Sequence, residues 1–104
     1  MANTPRITLT RNKDDFFQLW LNPEGRDLLV KELLSLNATS DHTHVEPAYM
    51  DPELAFRTVP YQEGEVVMSW GKILFRPDEW DEKHFPHVMT ETEQPSIYKP
   101  EEHE

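Results

Sequence analysis

The 104-residue chain carries 20 acidic against 10 basic residues and no cysteine, giving a formal charge of −10 with histidine neutral. A chain of this length buries roughly 65% of the surface its unfolded form exposes, enough for one modest core, and without cysteine a disulfide framework, thiol catalysis and cysteine-ligated zinc are excluded. The acidity argues against nucleic acid and anionic membrane as partners, because both repel such a surface, and leaves a basic protein allowed.

The charge is unevenly placed. Residues 1–76 hold 11 acidic and 8 basic residues, whereas residues 77–104 hold 9 and 2. The expected organisation is therefore a single α/β domain over 1–76 and an acidic, proline-containing tail over 77–104, partly packed or disordered, whose last dozen residues offer no periodic apolar face. The first residues show no basic segment followed by an apolar stretch, so no secretory signal is visible. No apolar run approaches the roughly 20 residues needed to cross a bilayer. Cytoplasm is the expected compartment.

In chain order, Arg6-Ile7-Thr8-Leu9-Thr10-Arg11 alternates apolar and polar residues and predicts a half-buried strand with Ile7 and Leu9 inward. Asn12-Lys13-Asp14 supplies a turn. Phe16 to Leu21 fits either strand or helix, and the aromatics favour strand. Asn22-Pro23-Glu24 is a helix start, a capping side chain followed by proline at the first helical position. The helix is expected to run to Leu36 with Asn37 as C-terminal cap, and to bury Leu29, Val30, Leu33, Leu34 and Leu36. Three further strands are read at His42–Pro47, Leu54–Val59 and Glu65–Arg76. The turn Tyr61-Gln62-Glu63-Gly64 would make the last two a hairpin, and Gly71 suggests a bulge or a close backbone approach. The predicted fold is α+β: one amphipathic helix packed on a mainly antiparallel sheet of about five strands, ordered β-β-α-β-β-β, followed by the mostly irregular acidic tail.

Three constellations bear on function. His42, His44 and Glu46 alternate along a strand and would share one face, a ligand combination zinc accepts, with His84 and His87 as a further pair. An exposed polar strand face explains the same residues, as does a pH-sensitive contact, and no metal is favoured. Nucleophilic catalysis has little support: no serine lies in a Gly-x-Ser-x-Gly elbow and no Gly-rich phosphate loop is present. The acidic pairs, such as Asp14-Asp15, read as solvated surface. Trp20, Phe56, Tyr61, Trp70 and Phe75 are expected in the core by default. Trp80 and Phe85 differ, because they stand among Asp78, Glu79, Asp81 and Glu82 in the tail. Aromatic anchors among carboxylates suit a basic partner, and the same two rings would also serve to cover an open sheet edge.

The stretch from Asn22-Pro23-Glu24-Gly25 through the Leu-rich helix, followed by Asp41-His42-Thr43-His44-Val45-Glu46-Pro47, resembles immunity proteins of bacterial polymorphic toxin systems, most closely immunity protein family 32. The resemblance covers roughly residues 15–76 and leaves out the tail. It implies a small cytoplasmic bacterial α/β protein, without catalytic site or cofactor, that binds and neutralises a cognate toxin, often a nuclease. It assigns no role to His42 or His44. The alternatives from other classes are a metal-binding protein or metal-dependent enzyme using His42, His44 and Glu46, and an acidic nucleic-acid-mimicking inhibitor of another enzyme.

Overall fold

A computed structural model describes residues 4–93. The expectation of disorder in the last dozen residues lies outside them. Strand β1 (Ile7–Arg11) and strand β2 (Phe17–Leu21) form an antiparallel hairpin in the register Ile7↔Leu21 to Arg11↔Phe17. Its turn is closed by Asn12, whose Oδ1 accepts from the Asp14 and Phe16 amides at 2.9 and 3.2 Å. The strand assignment at 17–21 therefore holds.

Asn22 then caps helix α1 (Pro23–Leu34). Its Oδ1 accepts from the Gly25 N–H at 2.7 Å and from the Arg6 N–H at 2.8 Å, so one side chain starts the helix and pins it to the beginning of β1. The helix is shorter than the sequence suggested. It ends at Ser35, and Asn37 instead organises the next loop by accepting from the amides of Thr39 and Ser40, each at 2.8 Å.

The buried face of α1 also differs from expectation. Leu28 and Leu29 pack against the core, whereas Val30 and Leu33 are exposed and Leu34 is 80% exposed. The reason is Gly25, which is buried. A Cβ built there would lie 2.2 Å from the Arg6 carbonyl oxygen, so the helix approaches β1 at the one residue without a side chain. That contact turns the stripe Gly25, Leu28, Leu29, Glu32, Leu36 inward, at helical spacing, and rotates Val30, Leu33 and Leu34 outward.

Strand β3 (His42–Pro47) leads through a short 3₁₀ turn at Ala48–Met50, with Asp51 in the left-handed region at φ 55°, into strand β4 (Ala55–Phe56). Strand β4 runs parallel to β3, with Glu46↔Ala55 and Pro47↔Phe56 in register. The chain then crosses to β1, where the Arg57 N–H donates to the Ile7 carbonyl at 2.7 Å. A turn at Gly64, φ 87°, precedes strand β5 (Val66–Val67), which takes the other half of the same edge of β1 through Thr10↔Val67 and Arg11↔Val66. Strand β6 (Gly71–Leu74) is antiparallel to β3, with His42↔Leu74 to Val45↔Gly71.

The architecture is thus α+β, as expected, but the strands form two three-stranded sheets, β2-β1-β5 and β4-β3-β6. The segment 65–76 is two strands in different sheets, and the expected hairpin with 54–59 does not form, because β5 pairs with β1 and β6 with β3. Gly71 is neither a bulge nor a close approach: it is exposed, with nothing within 4 Å of its Cβ position.

Ile7, Val45, Leu54 and Phe56 are the buried apolar residues, flanked by Leu9, Leu28, Leu29 and Ile73. They lie where β1, β3 and β4 meet, so β4 joins the two sheets through the core as well as through its backbone. Most of the aromatics expected in the core are elsewhere. Only Phe56 is buried; Trp70 is 63% exposed, and Phe75 and Tyr61 are exposed. Trp20 is half-buried, stacked on Tyr61 with centroids 4.1 Å apart and planes at 6°, and its indole N–H donates to the buried Thr10 hydroxyl at 3.1 Å. It covers the polar face of β1, opposite the side that Ile7 and Leu9 present to the core.

The first part of the tail is helical rather than irregular. Helix α2 (Asp78–His84) begins after Pro77, carries Asp78, Glu79 and Asp81 in its first turn and Lys83 and His84 in its last, and is followed by a short helix α3 (His87–Thr90). That charge order complements the helix dipole. Among the described residues, no helix is long and apolar enough to cross a membrane.

Candidate protein-binding surface

The ordered start of the tail is attached to the body through one arginine. Arg76 directs Nη1 at Asp41, 3.0 Å from Oδ2 and 3.3 Å from the backbone carbonyl, and also donates to the Phe75 carbonyl at 2.9 Å. Its guanidinium lies 4.5 Å from the centroid of the Trp80 ring. A half-desolvated cation over an indole face contributes on the order of 1 kcal/mol. Phe75 and Trp80, with Ala38, Asp41, Pro77 and Glu79, line an open pocket of about 330 Å³.

Around Trp80 the rings cluster. His84, one turn further along α2, lies 4.3 Å away between centroids, and Phe85 5.4 Å. His87 meets Phe85 edge-on at 6.2 Å. Phe85 is 48% exposed, and Val88 and Met89 beside it are exposed as well. Of the carboxylates, Asp78, Glu79 and Glu82 are exposed and Asp81 is half-buried. None of the four makes an ion pair among the described residues. All six residues singled out in the sequence, Asp78, Glu79, Trp80, Asp81, Glu82 and Phe85, therefore fall on or directly after a single short helix, with Trp80 turned to the body and Phe85 and three carboxylates open to solvent.

Sequence reading missed Arg76 and Asp41, which position that helix. Asp41 also holds His42: the His42 Nδ1 lies 3.0 Å from Asp41 Oδ1. This hydrogen bond, reinforced by the Arg76 charge and opposed by partial desolvation, holds the Asp41 carboxyl below its ordinary value of 3.8. A depressed folded-state pKa stabilises the fold above the unfolded value, and that contribution disappears as pH falls through the folded value. Acid titration of stability is therefore expected to show a steeper loss below pH 3.8 in the wild type than in Asp41→Asn. Chemical denaturation at stepped pH checks it; superimposable acid limbs would remove Asp41 from the account.

The histidine constellation is only partly assembled. His42 and His44 share a strand face, with ring centroids 5.1 Å apart and edge-on, and both line an open pocket with Glu46 and Glu53. Among the described residues, however, no three His, Asp or Glu side chains gather in an arrangement that holds a metal ion. His42 is turned to Asp41, while His84 and His87 belong to the ring cluster around Trp80 and Phe85.

No protein-family model, no curated protein and no solved structure matches the chain.

Proposed function

We propose that this chain is an immunity protein: a cytoplasmic inhibitory module that binds a cognate bacterial toxin of the nuclease class with a basic surface and occludes its substrate-binding cleft. The observation that carries the reading is helix α2, which gathers four carboxylates without ion-pair partners among the described residues around an aromatic cluster. Such a surface supplies what a basic cleft recognises, a negative field for encounter and rings for desolvated contact.

The proposed mechanism is competition by charge. Asp78, Glu79 and Glu82 would take positions that substrate phosphates occupy, and Phe85 would bury against the cleft wall. Arg76 and Asp41 would keep the helix oriented, so that less ordering is required on binding. Toxin neutralisation is also the function that the sequence resemblance over residues 15–76 implies.

The test is inhibition of the toxin that the proposal expects to be encoded beside this chain. The purified chain is expected to suppress the toxin's activity at equimolar ratio and to be displaced by excess polyanionic substrate. Full toxin activity at tenfold excess of the chain would refute the proposal.

A further inference from the structure

Several Lys and Arg side chains lack an ion-pair partner among the described residues, and two of them meet at one pocket. Arg6 and Arg57 line the same open pocket, of about 300 Å³, together with Thr8, Val59, Pro60 and Tyr61. No carboxylate is in that lining. Neither guanidinium makes an ion pair or a side-chain hydrogen bond among the described residues.

Both arginines are fixed at the backbone. The Arg6 N–H donates to Asn22 Oδ1 at 2.8 Å, and the Arg57 N–H donates to the Ile7 carbonyl at 2.7 Å. Thr8, only 2% exposed, sits between them on β1. Tyr61 forms a wall that is held in place on its far side by the parallel stack with Trp20. Glu65, outside the lining, holds the turn beside Tyr61, where its Oε1 accepts from the Tyr61 and Gln62 amides at 3.0 and 3.1 Å while its Oε2 is buried without a hydrogen-bond partner.

We propose that this pocket binds the phosphate group of a small ligand. Two guanidinium forks present rigid paired donors to an oxyanion, and their summed charge matches a phosphomonoester, about −2 near neutrality, better than a monocarboxylate. The volume, at the lower end for small-molecule sites, holds a phosphate and leaves room for an organic body against Tyr61. The site is formed by the start of β1 and the 57–61 segment, and it shares no lining residue with the pocket at the acidic helix.

The test is an NMR titration of the full chain with inorganic phosphate at constant ionic strength, with acetate as the carboxylate probe. Phosphate is expected to give saturable shifts of the Thr8, Arg57 and Tyr61 amides, and acetate to bind more weakly. Arg6→Gln and Arg57→Gln, which keep the backbone hydrogen bonds, should each weaken phosphate binding about tenfold, with Arg57→Lys intermediate because it keeps charge without the fork. Thermal midpoints close to that of the wild type show that these variants fold; should Arg57→Gln fail to fold, the exposed Arg6→Gln decides alone. Shifts that grow linearly with added phosphate without saturating, acetate binding as tightly as phosphate, or a folded Arg6→Gln that titrates like the wild type would each overturn the proposal.

Discussion

Replacing Gly25 by alanine is expected to lower the melting temperature by about 8–16 °C. The added Cβ would stand 2.2 Å from the Arg6 carbonyl oxygen, 2.8 Å from its carbon and 2.9 Å from Asn22 Oδ1. The first two are backbone atoms of the residue that leads into β1, whose carbonyl accepts from the Asn22 N–H at 3.2 Å, so they cannot retreat as the end of a flexible side chain would. Overpacking of this kind costs at least the upper end of roughly 1–3 kcal/mol, and the better helix propensity of alanine returns about 1 kcal/mol. The net loss of about 2 kcal/mol converts at roughly 4–8 °C per kcal/mol for a domain of this size. Gly71→Ala is the internal control: nothing lies within 4 Å of its Cβ, and its midpoint should move by no more than about 0.5 kcal/mol allows. Thermal unfolding followed by circular dichroism reads both. A Gly25→Ala protein that melts with the wild type would mean that the helix does not dock on β1 through this residue.

Gly25 also shows where sequence reading stopped. The start of α1 was legible, because Asn22 and Pro23 are local signals whose chemistry acts within one turn. The face that α1 buries was not, because a wheel built from apolar side chains counts Leu33 and Leu34 as core and gives glycine no weight. Here the closest approach of two backbones, not the largest apolar arc, selects the face. The β1–β2 hairpin was legible for the same reason as the helix start, since Asn12 closes it locally. The fates of 54–59 and 65–76 depend on distant partners: Arg57 and β5 compete for successive halves of one edge of β1, and no local pattern shows that an edge will be shared. The tail's composition set Trp80 and Phe85 apart, and their ring centroids lie 5.4 Å from each other. Its helical form was less visible, because acidic residues in the first turn and Lys83 and His84 in the last act through the dipole rather than through an apolar stripe.

The second large effect is expected at helix α2. Changing Asp78, Glu79 and Glu82 together to Asn, Gln and Gln removes three exposed charges while leaving Trp80, Arg76 and Asp41 in place. If each charge contributes somewhat under 1 kcal/mol of steering and contact at low salt, the loss sums to about 2–3 kcal/mol, or roughly a hundredfold in affinity. Most of it should lie in the association rate. None of the three is ion-paired within the described residues, but Asp78 and Glu79 lie in the first turn of α2 and complement its dipole, so the variant is used only where its circular dichroism matches that of the wild type.

The most direct measurement of the central claim is the affinity of the wild type and of this triple variant for the cognate toxin that the proposal requires, across a salt series. The account predicts a gap of about a hundredfold between them at 0.05 M salt that closes towards 1 M, where the screening length falls to about 3 Å. Coincident lines, with the triple variant binding as tightly as the wild type at every salt concentration, would contradict it.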